Sequence, residues 1–186
     1  MNYSIVTVPR VGANYLQDRI LQHTEIFVER FHTLQDNKMI TICRNPVDFL
    51  TSEAAMFFSY DTSTNNWDRL TIEHLRQEYL DTYAGYFTGT DDITIIDQFD
   101  MIIDYDSLIN FPLETVRLIA KNMGISIINE DYGPGKLKDS VEHNYLVSSK
   151  KVKEYEIIRE YVENTDLSKH YKIYNLMIAK SLKINS

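Results

Sequence analysis

The segment MITICRNPVD (residues 39–48) decides the fold, because a buried strand ends in it and a helix begins in it. Its first half is an unbroken apolar and β-branched run, which is typical of a strand buried on both faces of a sheet. Asn45 is a favoured N-cap residue, Pro46 suits the first helical position, and Asp48 adds negative charge to the first turn. The pattern predicts a strand followed by a helix over residues 46–59.

A second strand–loop–helix unit lies near the N-terminus. The run YSIVTVP (residues 3–9) is β-branched and predicts a buried strand, and Gly12 follows in a short loop. From Ala13 to about His23, apolar residues recur with helical spacing. We therefore expect a helix there.

The remaining periodic segments continue the alternation of strands and helices. Strands are predicted over residues 26–32, 93–96 and 101–103, and helices over 67–87, 112–123, 149–164 and 167–182. Gly124 ends the helix over 112–123, and residues 129–149 are predicted to form a loop. This alternation predicts one α/β domain over residues 1–186. It has a mostly parallel central sheet flanked by helices, and a helical C-terminus.

Composition and charge exclude some classes of partner. The chain has 186 residues, with 19 Lys and Arg against 27 Asp and Glu, and a net charge of −8. A nucleic-acid binder needs a basic surface, so no nucleic-acid partner is expected. The acidity is concentrated in residues 61–132, which carry 14 acidic and 4 basic side chains. The N- and C-terminal parts therefore still allow a site for a small anion.

The cysteine count and the N-terminal sequence concern the cellular compartment. A single cysteine, Cys43, excludes an internal disulfide and a zinc site built from cysteines. The first residues lack a basic stretch before an apolar core, and no apolar run approaches the length of a membrane span. We expect a cytoplasmic protein with no membrane span.

The loop after the first strand has features of a phosphate site. Gly12 permits a close backbone approach, the helix that follows offers free N–H groups, and Arg10 supplies a guanidinium that can bind a phosphate. The loop lacks the Gly-Lys-Ser/Thr ending that places a hydroxyl on magnesium. A nucleotide kinase or an ATP- or GTP-hydrolysing enzyme is therefore disfavoured.

A second pair of residues could bind the same kind of ligand. Arg44 follows the buried strand directly, and Ser52 lies eight residues later, about two turns into the predicted helix. These two side chains can converge on one anion. A capped helix start with a surface arginine would explain Asn45 and Pro46 but not the spacing of Arg44 and Ser52.

These elements resemble motifs of the sulfotransferase family, whose members transfer a sulfuryl group from 3′-phosphoadenosine 5′-phosphosulfate. The 5′-phosphosulfate loop is matched by Pro9, Arg10, Gly12 and, less well, Asn14, and the 3′-phosphate motif by Arg44, Asn45, Pro46 and Ser52. A strand running into a tyrosine-containing turn and then a Pro-initiated helix is similar to residues 102–125. The three elements occur in the family's order.

The resemblance implies a three-layer P-loop-like fold, with 3′-phosphoadenosine 5′-phosphosulfate as co-substrate and no metal. It assigns eleven residues to that donor: Pro9, Arg10, Gly12, Ala13, Asn14, Tyr15, Arg44, Ser52, Tyr105, Lys136 and Lys138. Arg10 would also be catalytic. His32 would be the general base that deprotonates an acceptor hydroxyl, since the ordinary pKa of histidine lies near neutrality, and Glu29 is the reserve.

The first loop departs from the family pattern. Val11, Ala13 and Asn14 stand where the family mostly has hydroxyl-bearing residues, so fewer donors reach the phosphosulfate. A second interpretation is therefore a protein that keeps the fold without the chemistry and serves as a structural or assembly subunit, with an oligomer or assembly partner. The acceptor is not identified by either interpretation.

Overall fold

A parallel β-sheet forms the centre of the protein. The computed structural model describes residues 3–7, 12–31, 34–61, 93–130 and 155–184. Within them are four strands, β1 (Tyr3–Val6), β2 (Glu29–Phe31), β3 (Lys38–Cys43) and β4 (Met101–Asp104). They lie in the order β2-β1-β3-β4, and every neighbouring pair is parallel. The predicted α/β class with a parallel sheet is confirmed.

In the described part of the chain, helices follow β1, β3 and β4, and no helix lies between β2 and β3. They are α1 (Ala13–Thr24), α2 (Pro46–Asp61), α3 (Tyr105–Asn110), α4 (Pro112–Met123), α5 (Tyr155–Glu163) and α6 (Ser168–Lys180), with a 3-10 helix over Ile93–Gln98. The predicted helix starts at Ala13, Pro46 and Pro112 are confirmed. No helix among these is long and apolar enough to cross a bilayer.

Both faces of the sheet are covered, since neighbouring strand residues point to opposite sides. Ile5, Ile40 and Ile103 belong to the larger core cluster, with apolar side chains of α1, α2, α4 and α5. Val6 and Ile102 belong to a second cluster, which includes Met177 of α6 and two residues at the 3-10 helix and just after it, Ile96 and Phe99. The helices therefore flank the sheet on both sides.

Two of the predicted strands need correction. Residues 93–96 are not a strand, because the chain forms a 3-10 helix there; Ile96 packs against α6, and Asp97 pairs with Lys180. The predicted strand 26–32 is reduced to β2, since the three residues before Glu29 are irregular and Phe27 is 63% exposed. The predicted helix 67–87, residues 131–149 of the predicted loop and residues 149–154 of the next helix lie outside the described residues.

The strand order defines where a ligand can bind. From β1 the chain passes through α1 to β2 on one side, whereas from β3 it continues to β4 on the other side. Neighbouring strands whose connections leave in opposite directions open a crevice beyond their carboxyl ends, and ligands of α/β proteins bind there. In this protein that crevice lies beyond Val6 of β1 and Cys43 of β3.

Candidate functional site

The turn before α1 supplies backbone donors at this crevice. Gly12 is the N-cap of α1, with a left-handed φ of 91°, and its carbonyl oxygen accepts the Leu16 N–H at 2.9 Å. The first N–H groups of a helix have no acceptor within the helix. The first turn of α1, which contains Ala13 and Asn14, has no acidic side chain to neutralise the positive end of the helix dipole. An anion can therefore be held there.

The ring of Tyr105 packs directly against this turn. A Cβ atom placed on Gly12 would lie 3.1 Å from Cε2 and 3.3 Å from Cδ2 of Tyr105. Glycine is thus required twice, by the left-handed backbone and by the ring that lies against it. Because Tyr105 begins α3 directly after β4, this contact joins the loop after β1 to the end of β4.

Arg44 lies over the same ring. Its guanidinium carbon is 4.3 Å from the centroid of Tyr105, within the range of a cation–π interaction. Gly12, Arg44 and Tyr105 come from the three separate sequence motifs, and the fold brings them into one contact cluster. One face of the tyrosine ring is therefore covered by the arginine.

The helix that follows Arg44 begins as expected. The Asn45 side chain accepts the Val47 N–H at 3.0 Å, and the Asn45 carbonyl accepts the Phe49 N–H at 2.9 Å. Ser52 lies in α2 and is 5% exposed. Its hydroxyl is therefore almost enclosed, and little of it can be reached from solvent.

Tyr15 is used for packing. Its ring packs against the larger core cluster, and the guanidinium carbon of Arg19 lies 4.8 Å from its centroid. Its backbone N–H belongs to the first turn of α1. This N–H group, rather than the ring, is what Tyr15 can contribute to an anion site.

Asp106 interacts electrostatically with Arg44, and two further carboxylates, Asp104 and Asp48, interact with Asp106; the sequence motifs did not indicate these groups. Asp104 caps α3, accepting hydrogen bonds from the Ser107 hydroxyl at 2.8 Å and the Ser107 N–H at 3.2 Å. Burial raises the pKa of Asp106, and the nearby charges of Asp104 and Asp48 raise it further, while Arg44 lowers it. The site is thus less positive than its arginine alone would make it.

Cys43 is buried at the end of β3 and does not serve as a nucleophile. Burial raises the pKa of its thiol to about 12, and the charge of Asp104 contributes. The thiolate is the reactive form of cysteine. This side chain therefore acts as a core residue.

Several predicted site residues lie outside the described residues: Pro9, Arg10, His32, Lys136 and Lys138. Glu29, the reserve base, is exposed on β2 and pairs in register with Ser4. His23 is buried, and its Nδ1 lies 2.6 Å from the Asn129 carbonyl oxygen, so it has a packing role. Over the described ranges, no group of three or more His, Cys, Asp or Glu side chains could hold a metal ion.

Comparisons with known proteins find no relative of this chain. No family model, no curated protein and no solved structure matches this chain. The fold and the site geometry define it as an α/β protein whose described residues form a parallel sheet of four strands, with a crevice at the carboxyl edge of that sheet.

Proposed function

We propose that this protein is a small sulfotransferase with a three-layer P-loop-like fold, which binds 3′-phosphoadenosine 5′-phosphosulfate in the crevice beyond β1 and β3. The observation that carries the proposal is the contact of Gly12 and Arg44 with Tyr105. These residues come from three motifs far apart in the chain, and they meet at the edge where α/β proteins bind ligands.

The described residues fit an anionic donor. The N–H groups at the start of α1 and the guanidinium of Arg44 are the donor types that bind phosphate and sulfate. Gly12 is buried, and its lack of a side chain lets the Tyr105 ring pack against the turn. Since Arg44 covers one face of the Tyr105 ring, an adenine stacked on this tyrosine would use the other face.

Sulfuryl transfer requires positioning and charge stabilisation more than covalent catalysis. The acceptor oxygen forms a bond to sulfur as the bond from sulfur to the 5′-phosphate oxygen breaks, and His32 takes the proton of the acceptor hydroxyl. The carbonyl oxygen of Phe31, the residue before His32, accepts the Thr7 N–H at 3.1 Å. This hydrogen bond joins the end of β2 to the residue that follows β1. The end of β2 therefore lies at the same edge of the sheet as the proposed donor site.

A second candidate function is that of a structural or assembly subunit that retains the fold. The charge near Arg44 favours it, since Asp106 interacts with Arg44 and also with Asp104 and Asp48, and these negative charges oppose the binding of an anion. In this function Arg44 would stabilise α3 through Tyr105 and bind no ligand.

Thermal unfolding with adenosine 3′,5′-bisphosphate, the product of the transfer, tests donor binding. At about one hundred times the Kd, a ligand adds about 2.7 kcal/mol to the free energy of unfolding. A chain of this length gains roughly 2–4 °C per kcal/mol, so the Tm should rise by roughly 5–10 °C.

Arg44→Ala should abolish most of this rise relative to its own ligand-free Tm. The matched control is Arg117→Ala, which removes a surface arginine of α4 that pairs with Glu130 at 2.9 Å. The control should keep the full rise. If the bisphosphate leaves the Tm of the unmodified protein unchanged at millimolar concentration, donor binding is refuted and the subunit function is favoured.

Radiolabelled sulfate transfer then separates catalysis from binding. The donor is offered with a panel containing a phenol, a monosaccharide, a fatty alcohol and a tyrosine peptide. His32→Ala should lose transfer while keeping the Tm rise with bisphosphate. A variant that transfers sulfate at the unmodified rate would exclude His32 as the base.

A further inference from the structure

A cavity of about 350 Å³ lies between the start of α2 and the α5–α6 turn. This volume is within the range of small-molecule sites. It is lined by eight residues: Asn45, Val47, Asp48, Arg159, Glu163, Thr165, Leu167 and Tyr171. Neither the donor motifs nor the proposed base includes Arg159, Glu163 or Tyr171.

The ionised side chains that line the cavity have a net negative charge. One guanidinium nitrogen of Arg159 lies 2.7 Å from Asp48 Oδ1, and its Nε lies 2.9 Å from Glu163 Oε1. Two carboxylates thus share one cation, which leaves one negative charge in the cavity. All three side chains are between one-third and one-half exposed, so a ligand can reach them.

The surroundings do not cancel this charge. The charge of Asp48 contributes to the raised pKa of Asp106, so its field extends beyond its pair with Arg159. Two positive helix ends border the cavity, and both are capped. The Asn45 side chain accepts the Val47 N–H at the start of α2, and the Asp166 side chain accepts the Ser168 N–H at the start of α6. The C-terminal end of α5, at Glu163, adds the negative end of a helix dipole.

The remaining walls are apolar and aromatic. Val47 and Leu167 are 8% and 5% exposed, and they form an apolar wall of the cavity. Tyr171 is half-buried, and its ring meets that of Tyr174 edge-on, with 6.4 Å between centroids. A tyrosine face beside carboxylates is a favourable environment for an organic cation.

We propose that this cavity binds a small organic ammonium compound, with the ammonium group at Asp48 and Glu163 and an apolar frame against Val47, Leu167 and Tyr171. An anion would meet two carboxylates, and a neutral ligand would leave the extra negative charge uncompensated. Binding here needs no sulfate donor, so this inference stands apart from the proposed sulfuryl transfer.

Three probes that share one carbon frame test the proposal: phenethylamine, phenethyl alcohol and phenylacetate. They carry a positive, a zero and a negative charge at neutral pH. Titration calorimetry at low salt, without nucleotide, should give a Kd for the amine about tenfold below that of the alcohol, and the weakest binding for the acid. The preference should shrink as ionic strength rises.

Glu163→Gln removes the uncompensated charge and keeps the shape of the side chain. The Kd of the amine should rise about tenfold, while that of the alcohol stays within about twofold. Glu156→Gln is the matched control, because Glu156 is an exposed glutamate of the same helix that does not line the cavity. It should leave both constants unchanged.

Three outcomes would overturn the proposal. The first is equal binding of the three probes, or strongest binding of the acid. The second is an amine Kd that Glu163→Gln does not change. The third is no binding of any probe at millimolar concentration. None of these outcomes would bear on bisphosphate binding, which the thermal assay measures separately.

Discussion

Replacing Gly12 with alanine gives the sharpest test of the crevice geometry, because it combines two distinct costs. The φ of 91° lies in the left-handed region, where a Cβ atom costs about 1–2 kcal/mol. The same Cβ would lie 3.1 Å from the Tyr105 ring, and the guanidinium of Arg44 covers one face of that ring. Crowding of a packed ring costs about 1–3 kcal/mol. We expect Gly12→Ala to lower the free energy of unfolding by about 2–5 kcal/mol.

Gly124 provides an internal control for the backbone cost alone. It ends α4 with a φ of 68°, and a Cβ placed there would meet nothing within 4 Å. Gly124→Ala should therefore cost only the backbone term, about 1–2 kcal/mol. Urea unfolding of both variants measures the difference, which isolates the contact with Tyr105. In a Tyr105→Ala background the two glycine substitutions should cost nearly the same.

The result that would refute this reasoning is equal destabilisation by the two glycine variants in the unmodified protein. Agreement within about 0.5 kcal/mol would mean that the Tyr105 ring moves aside freely, since overpacking normally costs more than that. The ring would then not hold the turn against Arg44, and the convergence of the three motifs would lose its structural basis.

Two further predictions concern titrating groups. Cys43 should resist iodoacetamide at about pH 8 in the folded protein and react in guanidinium chloride, because burial raises the pKa of its thiol to about 12. If the folded protein is labelled as fast as the unfolded protein, this prediction is wrong. Burial and the charge of Asp104 raise the pKa of Asp106 in the folded protein. Ionisation of Asp106 therefore lowers the free energy of unfolding. Asp106→Asn should therefore be slightly more stable than the parent at neutral pH, and urea unfolding should show the difference vanish once the pH falls below the ordinary range of aspartate. A gain that persists in acid would exclude this cause.

Helix ends were the features that the sequence predicted best. The N-cap at Asn45 and the start at Pro46 follow from local chemistry, and the structure has the expected hydrogen bond to the Val47 N–H. Gly124 ends α4 in the left-handed conformation that glycine adopts most easily. Such signals lie within one turn of the residues that they control, so no knowledge of distant contacts is needed.

Short apolar runs were predicted less well. Residues 93–96 have the composition of a strand, but a short buried run can also belong to a helix. In this protein Ile96 and Phe99 pack against Met177 of α6, and the segment closes as a 3-10 helix rather than joining the sheet. Whether such a run becomes a strand depends on a free neighbouring strand, which is a property of the whole fold.

The sequence by itself determined the α/β class, the helix starts at Ala13, Pro46 and Pro112, and the residues of the three motifs. Only the tertiary structure decided that Tyr105 lies between Gly12 and Arg44, and that Arg159 joins Asp48 beside a cavity. The physical reason is the distance along the chain. Local backbone preferences act over a few residues, whereas these contacts join residues 61 to 111 positions apart. The contacts of Tyr105 exist because parallel strands bring their carboxyl ends to one edge, and the contact of Arg159 with Asp48 exists because α5 packs against α2.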